Sequence, residues 1–210
     1  MVLVAMDIRQ RILRAAAGVY AETGYRGATT RRIASTAGVN EITLFRHFGS
    51  KRALIHEALR FADVSAPHAL PEVPADPPRE LRAWARSCFE RLHGRRAVIR
   101  KVMGEMGEHP EIVQYIKSNP CAQADELRRY LRALIARGLA DPAVNVSAAA
   151  AMFLGAVFAG AMGRDAMPEI YGQPVPRTVS SYVTLFLRAI GYPAPAPGRT
   201  ARRTGAAPSR

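Results

Sequence analysis

An all-α fold is what this sequence predicts, and three observations predict it. Apolar residues recur at helical spacing in every stretch between Pro and Gly breaks, no convincing period-two run occurs, and no Asn-Gly or Asp-Gly hairpin signal appears. The chain has 210 residues, of which 49% are hydrophobic and 22% charged, enough apolar material for packed cores. That composition excludes a chain disordered throughout.

The breaks set the organisation. Pro67, Pro71, Pro74, Pro77 and Pro78 crowd a short stretch that no helix tolerates, so residues 65–78 are expected to be a Pro-rich linker. It separates an N-terminal domain, residues 1–64, from a larger helical domain, residues 79–190. The last residues, 191–210, carry Pro193, Pro195, Pro197 and Pro208 among Ala, Gly and Arg, which predicts a disordered basic tail.

In the N-terminal domain Asp7 precedes a first helix whose Ile8, Ile12, Ala15, Ala16, Val19 and Tyr20 share one side, with Gly24 as its stop. Thr29 and Thr30 offer hydroxyls where a second helix begins, Thr being a preferred N-cap; Ile33, Ala34 and Ala37 are its inner face. After the turn Ala37-Gly38-Val39, Asn40 caps a third helix with Leu44 and Phe48 inward. Gly49-Ser50 ends it, and Lys51 to Arg60 form a fourth helix burying Leu54, Ile55 and Leu59. Helix, glycine turn, helix is the helix-turn-helix layout, whose second helix enters a major groove. The outward residues of the third helix, Glu41, Ile42, Thr43, Phe45, Arg46 and His47, mix the chemistry that base edges and phosphates require.

Charge points the same way. The whole chain carries a formal +13. Ten Lys and Arg against four acids fall in residues 1–60, sixteen against thirteen in residues 61–190, and four Arg with no acid in residues 191–210. A polyanion is therefore to be sought at the first domain. The N-terminus of the second helix also favours a phosphate, with Arg31, Arg32 and Lys51 nearby.

The block Gly24-Tyr25-Arg26-Gly27-Ala28-Thr29-Thr30-Arg31-Arg32-Ile33-Ala34, then Ala37-Gly38-Val39 and Thr43-Leu44-Phe45-Arg46-His47-Phe48-Gly49-Ser50-Lys51-Arg52-Ala53-Leu54, resembles the DNA-binding domain of TetR/AcrR-family transcriptional regulators. The resemblance covers roughly residues 8–60. It implies that Thr29 or Thr30 binds phosphate and that Arg31 reaches a base or the backbone. It implies further that Glu41, Ile42, Thr43 and Arg46 face the major groove, and that His47 and Lys51 hold phosphates. Phe45 departs from the family's usual Tyr and loses a phosphate-binding hydroxyl, while keeping an apolar ring for a thymine methyl. Arg46 suits guanine, a bidentate contact of about 1–3 kcal/mol. Glu41 either accepts from cytosine or repels wrong sites.

For residues 79–190 the resemblance implies a ligand cavity and a dimer interface. Leu127, Leu131, Leu134 and Ile135 form one helical stripe, and Val179, Val183, Phe186, Leu187 and Ile190 another. Trp84, Cys88, Phe89, Met103, Met106, Tyr115, Met152 and Phe153 are candidate cavity residues, Met suiting irregular pockets. No charged anchor stands out, so a hydrophobic small-molecule effector is expected. The Ala/Gly-rich helix of residues 147–163 and the stripe from Val179 to Ile190 fit a homodimer with an isologous four-helix interface, which a two-fold operator in double-stranded DNA requires.

Other classes are disfavoured. His47, His56, His68, His93 and His109 show no metal-ligand spacing, no phosphate-binding glycine loop occurs, and Cys88 and Cys121 have no evident base, so neither catalysis, metal nor cofactor is expected. Two cysteines make no disulfide framework, and the first six residues lack the basic start of a signal peptide, so a reducing cytoplasm is expected. The uncharged run Pro142–Gly163 is mostly Ala and Gly and reads as a buried helix, so no membrane is expected. The reading is a ligand-responsive transcriptional repressor. Its alternative is a structural DNA-binding protein without sequence preference or ligand.

Overall fold

A computed structural model describes residues 7–61, 68–108 and 118–193. Among these residues every regular element is a helix, in agreement with the all-α expectation. The N-terminal unit holds α1 (Ile8–Gly27), α2 (Thr30–Ala37), α3 (Glu41–Phe48) and α4 (Lys51–Phe61). The rest of the chain contributes α5 (Pro77–Gly94), α6 (Arg96–Glu105), α7 (Ser118–Ala136), α8 (Val146–Gly163), the single turn α9 (Pro168–Tyr171) and α10 (Val175–Ala189).

Local chemistry places the first four. Thr29 caps α2 by accepting from the Arg32 N–H at 3.2 Å, and Asn40 caps α3 by accepting from the Thr43 N–H at 2.7 Å. Gly38 stands at φ 65°, the left-handed conformation that ends α2 and opens the helix-turn-helix turn. Ile12, Leu13, Tyr20, Ile33, Leu44 and Leu54 are completely buried between these helices. Each such aliphatic side chain contributes about 1.5–3 kcal/mol by leaving water.

One helix crosses the expected boundary. α6 lies in the segment assigned to the second domain, yet its Val102 is buried in the N-terminal core, with Val98 and Met106 packed against it. The N-terminal core thus takes in a side chain from α6. Nearby, the guanidinium of Arg95 donates to the Leu59 carbonyl at the end of α4.

The second core lies between α5, α7, α8 and α10 around Trp84, Phe89, Leu127, Tyr130, Phe153, Val183 and Phe186. Phe153 stacks on Phe186 with ring centroids 4.3 Å apart. Both expected stripes point inward, Leu127, Leu131 and Leu134 on α7 and Val179, Val183, Phe186 and Leu187 on α10. The described part of the Pro-rich linker is strapped to this unit rather than free. Leu70 is buried in the core, its N–H donates to Glu126 at 2.7 Å, and the N–H groups of Ala75 and Asp76 both donate to Glu80. α5 also begins two residues before the expected boundary. Pro77 and Pro78 fit its first turn because a first-turn residue lacks an intrahelical N–H partner in any case.

Residues 191–193, expected to open the tail, are ordered against the second unit. Gly191, at φ 74°, and Tyr192 close α10 by donating to the Arg188 and Leu187 carbonyls, and Tyr192 packs on the core. Residues 194–210 lie outside the described residues.

Candidate nucleic-acid interface

The face of α3 that turns away from the core is built by elimination. Leu44 and Phe48 are consumed by burial, which leaves Ile42, Phe45, Arg46 and His47 outward. Ile42 is 78% exposed and Phe45 44%, high values for side chains that gain from leaving water. An apolar pair beside Arg46 can meet thymine methyls and base edges.

Thr29 spends its hydroxyl oxygen on the Arg32 N–H, so its side chain is already ordered at the start of α2. The other first-turn N–H groups open outward at the positive end of the helix dipole, where a phosphate oxygen is favoured. Arg31 is exposed beside them; Arg32 is held by Glu22 at 2.9 Å.

Three expected contacts are engaged within the protein. Thr30 donates its hydroxyl to Glu41 Oε2 at 2.9 Å, tying the start of α2 to the start of α3. The Thr43 hydroxyl donates to Asn40 Oδ1 at 2.8 Å. Lys51 lies over the Tyr25 ring, Nζ 4.6 Å from its centroid, and donates to the Arg26 carbonyl at 3.5 Å. Burial holds the Lys51 pKa below its usual value, against the opposing pull of the Glu105 carboxylate.

Two supports of this surface have no counterpart among the sequence expectations. Arg11 on α1 donates to the Ala37 carbonyl at 2.6 Å, gripping the turn between α2 and α3. Glu105 on α6 accepts from the Tyr20 hydroxyl at 2.7 Å and from the Tyr25 N–H at 3.0 Å. Their partners stand 26, 85 and 80 residues away, so no local spacing announces them.

The eight candidate cavity residues are dispersed. Trp84, Cys88, Phe89 and Phe153 are buried together, Trp84 stacking on Phe153 and donating its indole N–H to Glu126 at 2.9 Å. Burial pushes the Cys88 thiol up to about 11, so it stays protonated. Met106 packs on the N-terminal core, while Met103 is 51% and Met152 72% exposed. Helical spacing identifies these methionines as apolar without saying which side of a helix meets a neighbour. Tyr115 lies outside the described residues.

α8 is long and apolar enough to cross a membrane by length and composition, and only a third of it is buried. Ala150, Phe153, Val157 and Ala161 point into the second core. Its open side carries Ala148, Ala151, Met152 and Gly155, and α10 adds exposed Leu185, with Ser181 and Thr184 beside it. Among the described residues no group of three His, Cys, Asp or Glu could hold a metal ion.

Comparison with known proteins gives two family matches. Residues 12–58 match the family of bacterial regulatory proteins of the tetR type, and residues 79–191 match the C-terminal domain of AefR-like transcriptional repressors. An uncharacterized helix-turn-helix-type transcriptional regulator of Bacillus subtilis, YvkB, is 24% identical over 182 residues, covering 86% of this chain and 96% of that protein. The transcriptional repressor AcnR of Corynebacterium diphtheriae is 41% identical over 73 residues, 32% of this chain and 38% of AcnR. Among solved structures, the fatty acid degradation regulator FadR of Bacillus halodurans superimposes with a TM-score of 0.67 at 18% identity, covering 90% of this chain and 98% of that one.

Proposed function

This chain belongs to the TetR family of bacterial regulatory proteins, and on that premise we propose that it is a homodimeric, cytoplasmic repressor released from its DNA operator by a hydrophobic effector. The observation that carries the DNA half of this reading is the outward face of α3. Ile42, Phe45, Arg46 and His47 project from a helix capped by Asn40 and backed by a buried Leu44.

In this reading Arg46 reads a guanine, Ile42 and Phe45 meet thymine methyls, and the start of α2 with Thr29, Thr30 and Arg31 seats a phosphate. His47 and Lys51 take further phosphates. Thr43 and Glu41 lie in the groove as already ordered groups, since each is bonded to a neighbour in the free protein. The open face of α8 and α10 pairs with its symmetry mate, which sets two α3 helices at a fixed spacing. The effector enters next to Trp84, Cys88, Phe89 and Phe153. It favours a dimer whose two α3 helices no longer fit successive grooves, which requires different affinities for the two states. No catalysis and no cofactor belong to this reading.

Selection from a random duplex library should return an inverted repeat with half-sites about one helical turn apart. Recovery of no shared sequence would support the alternative, a DNA-binding protein without site preference. For the effector, hydrophobic compounds that release the selected duplex should also change the fluorescence of Trp84, the only tryptophan of the chain. Release with no change at Trp84 would move the site elsewhere.

A further inference from the structure

The kink in α1 is held by a residue of α6, outside the first four helices. Gly24 adopts φ 71°, and an added Cβ there would stand 2.0 Å from Glu105 Oε1 and 2.5 Å from Lys101 Cε. Only glycine allows this carboxylate so close to the backbone. Glu105 takes the Tyr20 hydroxyl before the kink and the Tyr25 N–H immediately after it. Tyr20 is completely buried, and burial together with the Glu105 carboxylate raises its pKa, which keeps it a donor.

Beyond the kink the chain enters the phosphate-binding part of the expected interface. The Gly24 carbonyl accepts from the Ala28 N–H at 2.9 Å, and Thr29, next in sequence, caps α2. The Tyr25 ring and the Arg26 carbonyl are the two groups on which Lys51 rests. Both the start of α2 and the seat of Lys51 therefore hang on a segment whose first N–H is fixed by Glu105.

We infer that Glu105, on α6, is a positioning residue for DNA binding: by clamping Tyr20 and Tyr25 across the Gly24 kink it sets the Thr29 helix start and Lys51 where phosphates are met. This rests on the DNA-contact reading proposed above for Thr29 and Lys51. A carboxylate so near Lys51 would, as a bare charge, oppose DNA. Its value lies in geometry, and charge and geometry are separable. Gln in its place can accept from the Tyr25 N–H and donate to the Tyr20 oxygen, whereas Ala can do neither.

The test is fluorescence anisotropy of the full chain on two duplexes, one enriched from a random library by the wild type and a shuffled version of it, across a range of KCl concentrations. Glu105→Ala should bind both duplexes about tenfold more weakly, with the slope of log Kd on log salt reduced by about one. Glu105→Gln should bind as tightly as wild type or tighter, with the full slope. A purely stabilising role would lower the folded fraction of Glu105→Ala and leave the slope of the folded protein unchanged. That result overturns the inference, as does an equal gain in affinity for Ala and Gln. If Glu105→Ala does not fold, Tyr20→Phe decides, because it deletes one bond and keeps the ring. About threefold weaker binding of the folded protein, read well below its unfolding transition, supports the clamp, and unchanged binding overturns it. A wild type that does not distinguish the two duplexes refutes operator recognition, while the Ala and Gln contrast still decides Glu105.

Discussion

The α2–α3 surface and the open face of α8 and α10 both expose apolar side chains, and they do so in different company. Around Ile42 and Phe45 stand Arg31, Arg46 and His47, with capped helix starts between them. Around Met152 and Leu185 stand the small neutral residues Ala148, Ala151, Gly155, Ser181 and Thr184, with Arg188 exposed a turn further along α10. An apolar group among cations suits a polyanion that also carries methyl groups. An apolar group among small neutral residues suits the same surface on a second copy of the chain. Exposure alone would have equated the two faces.

Four variants can break this contrast. The largest effect is expected beneath the second face, where Trp84→Ala removes a completely buried indole and leaves Glu126 without that donor. Thermal unfolding should show a loss of about 3–5 kcal/mol, and the dimer should go with it. The double change Met152→Glu and Leu185→Glu touches only exposed positions, so folding by circular dichroism should be retained. Light scattering should instead report a monomer, since a charge at the centre of an interface costs about 2 kcal/mol or more. A persistent dimer would assign pairing to another face. Smallest in stability and sharpest in function is Arg46→Ala. Its melting temperature should equal that of wild type, and discrimination against a shuffled site should fall by about 1–3 kcal/mol. Lys51→Ala differs in kind, weakening all duplexes alike and making the salt slope shallower by about one.

What is legible in the sequence divides along the same line. The four N-terminal helices follow from caps, glycine turns and short apolar spacings, and Thr29, Asn40 and Gly38 do what those rules require. The outward set on α3 is legible too, because only two inward residues have to be removed from eight. The grips of Arg11 and Glu105 are not, since hydrogen bonds between residues 26 and 80 or more positions apart leave no periodic trace. Nor is the place of α6. Its Val98 and Val102 form an ordinary helical stripe, and nothing in a stripe says which core it meets. For the same reason Met152 and Phe153, adjacent in sequence, read alike as cavity candidates, although the helix turns one to the surface and the other into the core.

Recognition of a DNA site by the α2–α3 surface differs from mere binding of charge in one measurable way, the ratio between two duplexes. Fluorescence anisotropy of the purified protein on the DNA upstream of its own gene, with a scrambled duplex alongside at two salt concentrations, tests it most directly. Tight binding to the upstream duplex is expected, with a large ratio over the scrambled one that persists when salt weakens both. Equal affinity for the two duplexes, falling together with salt, would contradict recognition of that site and favour the alternative of a DNA-binding protein without sequence preference.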